Sequence, residues 1–119
     1  MQLVIYGAQG YALGTYEAIR YLYPERKVSC FLVTERGYNA DVVDGLPVVE
    51  IKSFAEGLSG EDKRDIEVLI ATPENVQAEI ENTLDQYGFS NHKRIDSDRW
   101  ANTMGWCNTG GYLILQGRI

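Results

Sequence analysis

Gly7-Ala8-Gln9-Gly10-Tyr11-Ala12-Leu13-Gly14 is the stretch of this sequence best suited to chemistry. Glycines at a strand-to-helix turn let the backbone approach a phosphate closely, and the amides and dipole of the helix that follows favour negative charge. Gly7 and Gly10 would make that approach, with Ala8 and Gln9 between them, and the ring of Tyr11 could stack on a base or a sugar. The spacing is G-x-x-G-x-x-x-G, whereas the dinucleotide fingerprint is G-x-G-x-x-G, and Gly10 stands one position later than the second glycine of that fingerprint. Strand-to-helix turns also use glycine simply to bend and to pack closely, so both meanings of these glycines stay open.

Glu35 follows the second apolar run at about the offset where a dinucleotide-binding fold carries its ribose-binding acid. A solvated turn residue is the competing reading. Ala71-Thr72-Pro73-Glu74-Asn75 forms a second candidate ligand edge, at the end of another apolar run and the start of another helix. There, plain helix capping by Thr72, with Pro73 at the first helical position, competes with ligand contact. No catalytic set stands out. His92 lies between Asn91 and Lys93 and reads as a surface residue in a connection; Asp96-Ser97-Asp98 reads as a cap; Cys107 has no base beside it. One histidine and two distant cysteines do not make a zinc set, so no metal is expected.

The bulk properties narrow the partners. The chain has 119 residues and is 45% apolar, which fits one domain with a real core. Its formal net charge is −6, and residues 74–87 carry Glu74, Glu79, Glu81 and Asp85 without a Lys or Arg. Nucleic acid and anionic membrane surfaces need a basic patch, so neither is expected as a partner. Cys30 and Cys107 make no disulfide framework and read as free thiols in a reducing compartment. Met1 to Tyr6 reaches glycine too soon for a leader or a membrane span, so a cytoplasmic location is expected.

The elements that must position these residues alternate in type. Leu3–Tyr6 reads as a strand buried on both faces. Ala12, Tyr16, Ile19 and Tyr23 recur at helical spacing until Pro24. Val28–Val33 is a second strand, Thr34–Gly37 its turn, and a polar excursion runs on to Gly45. Pro47–Ile51 is a short third strand, with the proline at its first residue or an edge. Ser53-Phe54-Ala55-Glu56 has capping-box spacing and predicts a brief helix starting there, and Glu61–Asp65 reads as a solvated connection. Ile66–Ala71 is a buried strand, and Val76, Ile80, Leu84 and Tyr87 mark a helix ended by Gly88. Lys93–Asp96 predicts a last parallel strand, residues 97–104 a short helix, and residues 105–119 an added strand or interface tail. This alternation predicts a single α/β domain, a Rossmann-like α/β/α arrangement of three layers with a mainly parallel sheet of about five strands.

Val4-Ile5-Tyr6-Gly7-Ala8-Gln9-Gly10-Tyr11-Ala12 resembles the start of the small Rossmann-like N-terminal domain found on bacterial nucleotide-sugar acyltransferases and fused to bacterial sugar-transferase proteins. A weaker likeness continues through Phe31-Leu32-Val33, Gly45-Leu46-Pro47-Val48 and Val68-Leu69-Ile70-Ala71. The resemblance implies a module that binds a nucleotide-sugar, with Gly7, Ala8, Gln9, Gly10 and Tyr11 at the phosphates and Thr34 and Glu35 near the ligand. Ala12 stands where a further glycine is usual, and the usual acidic pair after the second strand is Thr34-Glu35. No hexapeptide-repeat segment is present, so acyl transfer is not expected of this chain. The implied role is a nucleotide or nucleotide-sugar binding module of an enzyme that makes or modifies surface polysaccharide. Two alternatives stand beside it. One is a non-catalytic assembly domain that dimerises through Tyr112–Leu115. The other is a fragment of an NAD-dependent enzyme, because Ala71–Leu84 resembles the fourth strand and helix of nicotinamide-dependent sugar oxidoreductases.

Overall fold

The apolar runs pair as neighbours in one sheet. In the computed structural model, which describes residues 2–95, β1 (Gln2–Tyr6) lies between β2 (Val28–Val33) and β5 (Ile66–Ile70) and is parallel to both. Every residue of β5 is buried, as is every residue of β1 after Gln2, which is why neither shows polar alternation. Beyond β2 comes β4 (Leu46–Glu50), also parallel, and beyond β5 comes the short parallel β6 (His92–Arg94). A two-residue antiparallel strand, β3 (Val42–Val43), closes the far edge, giving six strands in the order β3-β4-β2-β1-β5-β6. Asp44 and Gly45 both adopt positive φ, as a two-residue turn between β3 and β4 requires.

Alternate residues of β1 face opposite sides of the sheet. Leu3 and Ile5 pack with Ala12 and Ile19 of α1 (Gly10–Leu22), while Val4 and Tyr6 pack with residues of α2 (Ile51–Ala55) and α4 (Glu74–Gln86). Thr15, which the apolar stripe of α1 skips, is buried too and donates to the Tyr11 carbonyl at 2.7 Å. In α4 the buried line is Gln77, Ile80 and Leu84. Gly88, at φ +90°, follows that helix as expected.

Several boundaries differ from those read in the sequence. The brief helix starts at Ile51, because that residue is 2% exposed and docks inward with Ala55; Ser53 lies within the helix and does not cap it. The capping box occurs later, where Ser59 and Asp62 bond each other's backbone at the start of α3 (Gly60–Arg64). The charged run is therefore helical, though it buries nothing. Pro47 is the second residue of β4 and sits opposite Val42 of the edge strand. The proposed helix at 97–104 and the tail 105–119, with Cys107, lie outside the described residues.

The topology decides where a ligand could sit. The chain passes from β1 outward to β2 and β4, then crosses back to β5 and β6 on the other side of β1. Strand order therefore reverses between β1 and β5, and at such a reversal the loops leaving the carboxyl ends diverge and open a crevice.

Candidate functional site

The crevice begins at the carboxyl end of β1. Gly7 continues that strand by donating its N–H to the Leu32 carbonyl at 2.7 Å, and then turns at φ +125°. A Cβ at this position would lie 2.7 Å from the Ala71 carbonyl oxygen and 3.3 Å from both Ala12 Cβ and Thr72 Cγ2. Gly7 is thus fixed by two demands, its conformation and the close approach of the loop after β5.

Gly10 differs. It opens α1, its φ is ordinary, and a Cβ there would meet nothing within 4 Å. The helix it begins has Gln9 at the cap position without a side-chain cap bond and has no acid in its first turn. Its first amides and the positive end of its dipole face the crevice without a carboxylate of their own to answer them. Gln9 turns its amide outward instead, donating to Asn39 Oδ1 at 2.9 Å. That bond ties the first loop to the loop after β2, which is held in turn by Asn39 N–H on the Arg36 carbonyl (2.8 Å), by the Arg36 N–H on Glu50 Oε2 (2.9 Å), and by an Arg36–Asp41 ion pair.

The opposite wall is the loop 71–73 and the first turn of α4. Thr72 does not cap this helix: Pro73 holds the cap position, no side chain bonds the free amides, and the Thr72 hydroxyl reaches only the Pro73 carbonyl at 3.5 Å. Pro73 combines a φ of −55° with an extended ψ of 146°, so the helix starts at Glu74, one residue later than a Thr72 cap would place it. Gln77, 2% exposed, secures the wall from behind. Its amide nitrogen donates to the Thr72 carbonyl (3.0 Å) and to the Ile95 carbonyl (2.9 Å), joining the loop after β5 to the end of β6.

Together these segments enclose a cleft of about 650 Å³. Gly7, Ala8, Gln9, Gly10 and Tyr11 line one side, Thr72 and Pro73 the other, and Thr34 the end toward β2. On its floor the Tyr6 hydroxyl and Thr34 Oγ1 share a hydrogen bond of 2.5 Å. Burial raises the Tyr6 phenol above its ordinary pKa, against the opposing pull of the Thr34 bond, so the group is a neutral hydrogen-bonding hydroxyl at physiological pH. Glu35 is not brought to this cleft. It lines a neighbouring depression of about 610 Å³ with Glu50, Lys52 and Tyr87, and Thr34 stands between the two spaces.

Other residues singled out in the sequence fall elsewhere. His92 belongs to β6 and not to a connection, because the last strand begins one residue earlier than its Lys93 expectation. Its ring, 13% exposed, is pressed against α4, with Nε2 2.8 Å from Asp85 Oδ1. Arg94 bonds Glu81 at 2.5 Å, which holds the Glu81 carboxyl below its usual range. Cys30 is buried in β2, and burial pushes its thiol up to about 11, far from a thiolate at neutral pH. Among the described residues no group of His, Cys, Asp and Glu is arranged to hold a metal ion, and no helix is long and apolar enough to cross a membrane.

Three contributors escaped the sequence reading: Tyr6, Asn39 and Gln77. Tyr6 reads as a strand residue, and Asn39 sits in a loop with no motif. Gln77 left a trace, because it precedes Ile80 by three positions and Leu84 by seven, on the buried stripe where a polar side chain needs a partner. Comparison with models of known protein families gives no match, and no curated protein matches the chain.

Proposed function

We propose that this chain is a Rossmann-like domain of three α/β/α layers that binds a nucleotide or nucleotide-sugar, serving an enzyme that makes or modifies surface polysaccharide. One observation carries the reading. At the reversal of strand order, α1 opens on a cleft of about 650 Å³ with an amino end whose cap residue makes no side-chain bond and whose first turn holds no acid, and with a glycine where a Cβ would meet nothing among the described residues. A cleft of that size matches the range that small-molecule and cofactor sites occupy. The pyrophosphate would lie over Gly7 to Tyr11, and the ring of Tyr11 and the amides of Gln9 and Asn39 would meet the base or the sugar. The buried, unpaired Cys30 suits a reducing compartment, and we place the protein in the cytoplasm.

Titration of ¹⁵N-labelled protein with a panel of nucleoside diphosphates and nucleotide-sugars tests this directly. Amide shifts are expected to concentrate at residues 7–13 and 72–74. A panel that leaves those amides unmoved, and gives no rise in thermal midpoint, rejects the reading, since a ligand that binds only the native state must raise the midpoint by mass action.

A further inference from the structure

Tyr38 is the most exposed large apolar side chain of the described residues, its ring wholly in water. It belongs to the loop after β2 and stands next to Asn39, which lines the cleft, so its Cα lies about 3.8 Å from that of a lining residue. An aromatic ring carries a large apolar area and gains from covering what lies beside it.

The loop is built as a flap on a closed base. At its foot the Arg36 guanidinium pairs with Asp41, the Arg36 N–H donates to Glu50 Oε2 at 2.9 Å, and the Asp41 carbonyl accepts the Val48 N–H at 2.8 Å. Between these posts residues 37–40 make a compact turn: Gly37 adopts φ +51°, and the Asn39 N–H donates to the Arg36 carbonyl at 2.8 Å. Gly37, Tyr38 and Ala40 are exposed and Asn39 is half-buried, so the turn takes no part in the core. Its tip is tied to the first loop by the bond from Gln9 Nε2 to Asn39 Oδ1, which is exposed to solvent. Water replaces an exposed side-chain bond at small cost, so the tip can swing about Gly37 without uncovering apolar surface.

We infer, on the reading of the cleft as a ligand site, that residues 37–40 form a lid, latched by the Gln9–Asn39 bond, that swings on Gly37 and lays the Tyr38 ring over the bound ligand. The latch joins two carboxamides that line the cleft and that a ligand would itself engage. A ligand that takes either of them breaks the latch, so occupation of the cleft and release of the lid are coupled. Closure buries the Tyr38 ring against the ligand, shields the cleft mouth from water and slows departure more than arrival.

A fluorotyrosine placed at position 38 of the full chain, read by ¹⁹F NMR during titration with the panel of nucleoside diphosphates and nucleotide-sugars, tests the lid. The shift difference of that fluorine between H₂O and D₂O should fall on saturation, whereas a fluorotyrosine at position 21, exposed on α1, should stay as it was. Tyr38→Ala should weaken binding roughly tenfold, mostly through faster release, and Tyr38→Phe should bind like wild type. In the free protein, Gln9→Ala should increase millisecond exchange at the amides of residues 38–40 and leave β2 unchanged. Binding that moves the amides of residues 7–13 while position 38 stays solvated and Tyr38→Ala binds like wild type overturns the lid and leaves the ligand reading standing. Gln9→Ala protein whose residues 38–40 exchange as in wild type overturns the latch, and the coupling with it. If no member of the panel binds, the ligand reading fails and takes the lid with it, a different result from binding beneath an open lid.

Discussion

Two loops face each other across the cleft, the one after β1 and the one after β5, and they are built on opposite plans. The first is held from within by Gly7, wedged against the Ala71 carbonyl, and leaves the start of α1 open at Gly10. The second is held from behind by Gln77 and closes the electrostatics of its own helix with Glu74. One loop is shaped so that something can approach it. The other is shaped to stay in place. The contrast is sharpest between the two glycines, which look alike in the sequence, although the fold consumes the first and makes no use of the second.

Substituting both glycines is the strongest way to break that comparison. Gly7→Ala puts a Cβ 2.7 Å from a carbonyl oxygen on a backbone at φ +125°, and should cost roughly 3 kcal/mol of stability, seen as a lowered urea midpoint. Gly10→Ala should stay within about 1 kcal/mol of wild type, on the stabilising side, since alanine is the better helix former and meets no neighbour. Equal losses at the two positions would show that both glycines are structural.

The second loop can be loosened from behind. Gln77→Leu keeps the volume of the side chain but strands the Thr72 and Ile95 carbonyls, at a cost of about 2 kcal/mol by the same denaturation. Amide exchange at residues 72–74 should rise with it, while exchange at residues 7–10 stays near wild type. Tyr6→Phe removes the bond to Thr34 on the cleft floor and should cost about 1 kcal/mol. The smallest effect sharpens the electrostatic half of the contrast. Glu74→Gln removes the acid from the start of α4 and should lower stability by about 0.5 kcal/mol at low ionic strength, less in high salt. A loss unaffected by salt would argue for a contact other than the helix dipole.

Much of the fold was legible because local pattern and tertiary role agree there. β1, β2 and β5 read as mainly apolar runs, interrupted inside them only by Ser29 and Glu67, since each is flanked by strands on both sides and almost wholly buried. The helix of residues 74–86 was visible in Ile80 and Leu84, and its end in Gly88. The reading slipped where a local signal was ambiguous. Ser53 and Ser59 both offer a capping serine with an acid three positions on, and burial of Ile51 decided against the first. Asp44-Gly45 was a two-residue turn signal hidden in a polar stretch, and with it the sixth strand.

For the site, residue type marked Gly7 to Tyr11 and Thr72-Pro73, because turns at strand ends need small or φ-restricted residues whatever else they do. Residue type alone did not separate Glu35, outside the cleft, from Asn39, on its lining, since both are polar loop residues and only the path of the backbone after β2 distinguishes them. Apolar periodicity therefore determined the strands, the long helices and the alternation that makes an α/β sheet. Tertiary structure decided which glycine is spent on packing, which polar side chains line the cleft and where strand order reverses. Those depend on contacts between segments far apart in the chain, such as the Gly7–Ala71 approach, which no local window contains.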